Sequence, residues 1–112
     1  MYKILIVDDE PAILMSLDFL MKKEGYEVFI ARDGEEALTI IKKEMPHLII
    51  LDIMMPNLDG FDICQRLKAD EQTREIPVIF LSALDETFDK VKAFSLGAVD
   101  YITKPVTDLE LI

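Results

Sequence analysis

Leu48-Ile49-Ile50-Leu51-Asp52 is a continuous apolar run that ends in a carboxylate, and it decides the fold. An uninterrupted apolar segment of this length is typical of a central parallel strand with helices on both faces. Three more short apolar runs end in residues that phosphoryl chemistry can use, namely Asp8-Asp9, Ser82 and Lys104. If the four runs are parallel strands of one sheet, these side chains share the edge where ligands bind in open α/β sheets.

The composition is that of one globular domain. The chain has 112 residues, of which 51% are hydrophobic, with only four glycines and five prolines. Its 12 basic and 22 acidic residues give a net charge of −10, which opposes binding to nucleic acid or to anionic lipid. We expect no membrane helix or signal peptide, because no apolar stretch has the required length. Cys64 is the only cysteine, so there is no internal disulfide, and a reducing, cytoplasmic location is expected.

Turn and capping signals divide the chain into alternating strands and helices. The predicted elements are a helix at 11–24, a strand at 27–31, a helix capped by Asp33 and Glu36 and ended by Pro46, the strand at 48–52, a helix after the turn at 56–60, a polar loop at 70–73, a strand after Pro77, a helix from Asp85 to Gly97 and a strand at 99–103. This alternation implies a parallel sheet with right-handed crossovers and helices on both faces.

The last predicted helix is incomplete. Thr107 and Glu110 have capping-box spacing, but the sequence ends at Ile112, which leaves about 9 Å of helix. So short a helix is marginal unless packing holds it. We therefore expect residues 1–112 to be a single domain with a truncated fifth helix, forming the N-terminal part of a longer protein.

Asp8, Asp9 and Asp52 would form a cluster of like charges at the sheet edge. Carboxylates within about 5 Å of one another repel by roughly 3 kcal/mol per pair at an effective dielectric near 20. A divalent cation offsets this repulsion, and hard oxygen ligands suit Mg²⁺ or Mn²⁺. The sequence therefore predicts a metal site.

Asp52 is the best candidate for a nucleophile toward phosphorus, because it leaves the central strand singly between the acidic pair and the Ser82 and Lys104 side. Each of these residues also has an ordinary alternative role. An aspartate caps a helix or a turn, a serine caps a turn, and a lysine before a proline is solvated in a loop. Their joint placement at strand ends favours chemistry.

The chain resembles the receiver (phosphoacceptor) domain of two-component response regulators along essentially all of 1–112. The resemblance rests on linked motifs in order, at Ile6–Glu10, Leu51–Gly60, Leu81–Ala83 and Gly97–Pro105. It implies a flavodoxin-like, doubly wound sheet of five parallel strands in the order 2-1-3-4-5, within three α/β/α layers.

The resemblance also implies an acceptor and a metal site. Asp52 would take a phosphoryl group from a phosphohistidine on a sensor histidine kinase or a phosphotransfer protein. Mg²⁺ or Mn²⁺ would be held by Asp9, Asp52 and the backbone carbonyl of Met54, with Asp8 binding through water.

Four further roles follow from the same resemblance. Lys104 and Ser82 would contact the phosphoryl oxygens, and Tyr101 would be an aromatic switch that turns inward when Ser82 moves toward the phosphate. A cis peptide is expected between Lys104 and Pro105, a geometry largely confined to proline.

The resemblance implies a signalling switch, part of a two-component system or phosphorelay, and not a metabolic enzyme. Its catalysis would be limited to its own phosphorylation and to hydrolysis of the aspartyl phosphate. The output would lie in a domain after residue 112 or in a separate effector, and a homodimer is possible. Direct contact with nucleic acid or a membrane is not expected.

Three rival functions were weighed. A phosphatase of the haloacid dehalogenase type requires a second aspartate at the position of Met54, which argues against this function. A flavin-binding electron carrier requires a phosphate-binding loop after the first strand, where this chain has the acidic Asp8-Asp9-Glu10. A phosphorylation-independent interaction module with the same fold stays open as the alternative.

Overall fold

The computed structural model describes residues 1–55, 58–82, 95, 97 and 100–103. Its elements, in chain order, are β1 (Lys3–Val7), α1 (Pro11–Lys23), β2 (Glu27–Ala31), α2 (Gly34–Glu44), β3 (Leu48–Asp52), α3 (Gly60–Ala69), β4 (Val78–Ser82) and β5 (Asp100–Thr103). The predicted helix over 85–97 falls almost wholly, and the incomplete helix after Thr107 entirely, outside the described residues. No described helix is long and apolar enough to cross a membrane.

The five strands form one parallel sheet in the order β2-β1-β3-β4-β5. This confirms the predicted doubly wound topology. Val7 pairs with Ala31 on one side and with Leu51 on the other, and Asp52 pairs with Leu81. The strands therefore end together at one edge of the sheet, which is called the site edge below.

Alternate side chains of the strands enter two separate hydrophobic clusters. Leu5, Ile49 and Leu51 pack with residues of α2 and α3 on one face, whereas Ile6 and Ile50 pack with residues of α1 on the other. This is the period-two pattern of a strand buried on both sides. The described helices thus lie on both faces of the sheet, as the predicted three-layer arrangement requires.

Two helix starts depart from the expected capping. The Asp33 side chain accepts from the Glu36 N–H, as predicted, but Glu36 Oε1 accepts from the Arg32 N–H and not from the cap residue itself. A full capping box occurs instead at α3, between Asp59 and Asp62. The sequence analysis missed it because Asp62 stands where the usual motif has Glu or Gln.

The segment after α3, predicted as a polar loop, is anchored to the helix. Thr73 is buried, and its hydroxyl donates to the Leu67 carbonyl over 2.8 Å. Lys68 Nζ donates to the carbonyls of Arg74 and Ile76 over 3.0 and 3.2 Å. These bonds fix the chain as it enters β4.

The other end of the sheet, called the base edge below, comprises Tyr2, Lys3, Glu44 and His47. His47 Nδ1 accepts from the Lys3 backbone N–H over 2.9 Å, and the backbone N–H of His47 donates to the Lys3 carbonyl over 2.8 Å. Lys3 Nζ lies 3.3 Å from Glu44 Oε1, and the rings of Tyr2 and His47 pack edge to face. His47 therefore joins the start of β1 to the start of β3.

Candidate functional site

Asp8 lies directly after β1 and is fully buried, with 0% of its surface exposed. Its N–H donates to the Ala31 carbonyl over 3.1 Å, which continues the pairing of β1 with β2 by one residue. Its Oδ1 accepts from the Glu10 N–H over 2.9 Å. This turn, of the kind aspartate side chains favour, holds the carboxylate at the point where α1 begins.

The turn gathers three carboxylates at the site edge. One carboxylate oxygen from each of Asp8, Asp9 and Glu10 lies within 4.8 Å of the others. Asp8 is buried, and the other two are exposed. Asp8 and Asp9 were predicted as metal ligands from the sequence, whereas Glu10 was not. Its position two residues after Asp8 was the available signal, since an Asx turn brings such a residue back.

Asp52 is the last residue of β3 and only 2% exposed. Val7 of β1 pairs with Leu51 of β3. The residues that follow them in sequence, Asp8 and Asp52, are therefore neighbours at the site edge. Among the described residues, the group of carboxylates within 4.8 Å comprises only Asp8, Asp9 and Glu10. Asp52, which the sequence predicted in a cluster with Asp8 and Asp9, is not part of this group, although it ends the adjacent strand.

The backbone after Asp52 is held on two sides. The Ile53 N–H donates to the Leu81 carbonyl over 3.1 Å, and the Ile53 carbonyl accepts from the Gly60 N–H over 2.9 Å. A Cβ added at Gly60 would overlap the Asp52 carbonyl oxygen and would lie 2.9 Å from Ile53 Cα. Glycine is required at this position because the first turn of α3 rests against the end of β3.

Met54 lies in the loop between these anchors. Its side chain is 74% exposed, whereas the side chains of Ile53 and Met55 are buried. Ile53 and Met55 thus pack into the core, and Met54 between them faces solvent. The role predicted for the Met54 carbonyl in metal binding stays a prediction.

Ser82 and Tyr101 are placed by the sheet. Ser82 is the last residue of β4 and pairs with Thr103, while Tyr101 pairs with Phe80. Asp8, Asp52 and Ser82 therefore lie at the ends of neighbouring strands at the site edge, and their shared role in the site stays a prediction. Lys104, Pro105 and the cis peptide expected between them lie outside the described residues.

Cys64 lies on α3, away from this edge, in the core between α3 and the sheet. Burial raises the pKa of its thiol, and the nearby Lys68 ammonium opposes that shift only in part. A buried cysteine of raised pKa is a poor nucleophile. Cys64 thus contributes to core packing.

Comparison with known proteins agrees with this geometry. The family model described as the response regulator receiver domain matches residues 4–112. The chain is 47% identical, over 109 residues or 97% of its length, to the alkaline phosphatase synthesis transcriptional regulatory protein PhoP of Bacillus subtilis. It is 48% identical over the same length to the probable transcriptional regulator ycf27 of Cyanophora paradoxa. The chain spans 45% and 44% of these two relatives, less than half of each.

Solved structures share the fold. The signal receiver domain of a histidine kinase from Syntrophus aciditrophicus is 39% identical, with a TM-score of 0.89 over 99% of this chain and 84% of that one. The chemotaxis protein CheY4 of Vibrio cholerae is 31% identical, with a TM-score of 0.88 over 94% of this chain and 88% of that one. The chain therefore belongs to the response regulator receiver domain family, the phosphoacceptor signalling domains of two-component systems.

Proposed function

We propose that Asp52 is the phosphoacceptor of this receiver domain and that the phosphoryl group comes from a phosphohistidine on a sensor kinase or a phosphotransfer protein. The observation that carries the proposal is the burial of two carboxylates, Asp8 and Asp52, at the ends of adjacent strands. Burying like charges side by side costs stability. Such an arrangement is understandable where a cation and a phosphoryl group are to be bound.

The transfer is a displacement at phosphorus. An Asp52 carboxylate oxygen attacks the phosphorus atom and forms a P–O bond, while the P–N bond breaks and its electron pair returns to the imidazole. Hydrolysis reverses the state of the domain, because attack of water on phosphorus releases inorganic phosphate and restores the carboxylate. In such reactions the protein contributes positioning and electrostatic stabilisation more than covalent chemistry.

The donor set fits Mg²⁺ or Mn²⁺. Asp8, Asp9 and Glu10 place hard oxygen atoms within 4.8 Å of one another, and carboxylates combined with water suit these ions. In our proposal Asp9, Asp52 and the Met54 carbonyl bind the ion, with Asp8 acting through water. The exposed Glu10 carboxylate joins this shell. When bound, the ion supplies positive charge that offsets the charge on the phosphoryl oxygens.

The remaining site residues complete the switch. We assign Lys104 and Ser82 to the phosphoryl oxygens and Tyr101 to the aromatic switch, and we retain the cis peptide before Pro105. These assignments rest on the motifs of the family and on the place of Ser82 and Tyr101 in β4 and β5. The phosphoryl group adds charge and acceptor oxygens at Asp52 and shifts the domain toward conformers in which Ser82 and Lys104 engage it.

The output of the whole protein is inferred from its relatives. Two curated relatives are named transcriptional regulators, and the chain spans less than half of each. We propose that residues 1–112 are the N-terminal receiver domain of a cytoplasmic regulator whose output region follows residue 112 and controls transcription. Phosphorylation would act through that region or through a homodimer.

The test is intact-mass spectrometry after incubation with acetyl phosphate, with and without Mg²⁺, on the wild type and Asp52→Asn. We expect a Mg²⁺-dependent gain of one phosphoryl group in the wild type alone. Glu44→Gln is the matched control, because it also replaces a carboxylate by its amide and Glu44 lies beside Lys3 at the base edge, at the opposite end of the sheet.

Two results would contradict the proposal. Phosphorylation of Asp52→Asn to the wild-type extent would place the acceptor elsewhere. No gain of mass in the wild type, under conditions that label a known receiver domain, would favour the phosphorylation-independent interaction module.

A further inference from the structure

The start of α2 touches the loop that follows Asp52. An ideal Cβ at Gly34 would lie 2.8 Å from Leu58 Cβ, 2.9 Å from Leu58 Cδ2 and 3.1 Å from Leu58 Cγ. Gly34 itself is buried. Leu58 is partly buried and packs on the larger hydrophobic cluster between the sheet and α2 and α3. We propose that this contact positions the loop and thereby sets the affinity of the site edge for Mg²⁺.

The contact leaves no room for a side chain at Gly34. Two of the three Leu58 atoms would lie below 3.0 Å, and one of them is its Cβ, which moves only with the backbone. A methyl group at Gly34 would therefore displace the Leu58 backbone as well as its side chain. Packed protein interiors transmit such a displacement because they contain few voids to absorb it.

The loop that contains Leu58 and Met54 is fixed at both of its ends. On the Gly60 side, the loop is fixed by the bond from the Gly60 N–H to the Ile53 carbonyl and by the tight packing of Gly60 on Asp52. On the Asp52 side, the Ile53 N–H donates a hydrogen bond to the Leu81 carbonyl. Leu58 and Met54 both lie between these anchors, and in our proposal a shift of Leu58 therefore changes the position of Met54.

The inference rests on the proposed function, in which the Met54 carbonyl is a ligand. Mg²⁺ demands near-ideal octahedral geometry, so a small shift of one ligand lowers its affinity. Gly34 and Leu58 touch neither the ion nor the phosphoryl group, so they are positioning residues. Residues that orient metal ligands in this indirect way typically change metal affinity by roughly tenfold or more when they are altered.

The experiment is a titration with Mg²⁺ alone, followed by backbone amide chemical shifts at a temperature where every variant is folded. Four proteins are compared, namely the wild type, Gly34→Ala, Leu58→Ala and the double variant. We expect Gly34→Ala to weaken Mg²⁺ binding by roughly tenfold, and the double variant to regain most of this loss because the smaller side chain makes room for the methyl group. Leu58→Ala alone should have the smaller effect.

Gly25→Ala is the matched control. It makes the same chemical change at a glycine with φ of +92° and no atom within 4 Å of the added Cβ, so it strains the backbone far from the loop. Its Mg²⁺ affinity should equal that of the wild type even though its stability falls. Hydrogen exchange of the Met54 and Met55 amides should accelerate in Gly34→Ala and not in Gly25→Ala.

The outcomes separate this inference from the proposed function. Equal Mg²⁺ affinities for the wild type and Gly34→Ala, or a double variant no better than Gly34→Ala, would overturn the positioning role and leave the metal site intact. A wild type without Mg²⁺-dependent shifts at the site edge would overturn the metal site and this inference together.

Discussion

The two ends of the sheet treat charge in opposite ways. At the base edge, Lys3 lies beside Glu44 at 3.3 Å, and His47 is hydrogen bonded to the Lys3 backbone. At the site edge, Asp8 and Asp52 are buried on adjacent strands, with Asp9 and Glu10 close by. One edge pairs opposite charges and so favours folding. The other gathers acidic residues, which our proposal explains by the binding of a cation and a phosphoryl group.

Among substitutions at the site edge, one at Gly60 should lower the free energy of unfolding most. The Cβ of Gly60→Ala would overlap the Asp52 carbonyl oxygen, which is backbone and cannot move aside cheaply. We expect a loss of about 3 kcal/mol in the free energy of unfolding, at the upper end for overpacking. Urea denaturation measures it, with Gly25→Ala as the control for backbone strain. A loss no greater than that of Gly25→Ala would show that the contact between α3 and β3 is not tight.

Mg²⁺ should stabilise the domain through the site edge alone. At about one hundred times its dissociation constant, a ligand that binds only the folded state adds about 2.7 kcal/mol. Thermal unfolding with and without Mg²⁺ measures this gain, which we expect to be nearly lost in Asp9→Asn and kept in the base-edge variant Glu44→Gln. Equal stabilisation of both variants would mean that Mg²⁺ acts on the general negative charge of the chain.

Asp52→Asn should raise the stability of the metal-free fold while it abolishes phosphorylation. Removing one of several like charges relieves repulsion, which we expect to add up to about 1 kcal/mol. The measurement is urea denaturation in the presence of a chelator. A lower free energy of unfolding for this variant in the presence of the chelator would mean that the clustered carboxylates do not destabilise the metal-free fold.

The smallest effect is expected at the base edge, and it has the opposite sign. Glu44→Gln removes the charge that faces Lys3, and exposed or half-exposed ion pairs contribute about 0.5 kcal/mol. Stability should fall by that amount in low salt, and the difference should shrink as salt screens the pair. If Glu44→Gln and Asp52→Asn changed stability in the same direction, the contrast between the two edges would not hold.

Local patterns made most of the fold predictable. The strands at 27–31 and 48–52 occur at the predicted residues, because continuous or alternating apolar runs report burial directly. Helix α1 ends at Lys23, one residue before the predicted end, with the Glu24 N–H directed at the last carbonyls of the helix. The capping box of Asp59 and Asp62 was missed because Asp62 replaces the Glu or Gln of the usual motif.

The site was predicted mainly in its strand-end residues. Asp8, Asp52 and Ser82 follow from where apolar runs stop. The roles of Gly34 and Gly60 could not be predicted, because each depends on contact with a residue distant in sequence. The joining of Glu10 to the carboxylates depends on the hydrogen bond from its N–H to Asp8, and its position two residues after Asp8 is the sequence signal from which this could have been predicted.

The alternation of side chains along β3 has a consequence for communication. Ile50 belongs to the cluster on the α1 side, and Leu51 belongs to the cluster on the α2 and α3 side. The two residues just before Asp52 therefore pack against helices on opposite faces of the sheet. A chemical event at Asp52 can therefore be transmitted to either face of the domain, so that binding surfaces on opposite faces can respond to the same group.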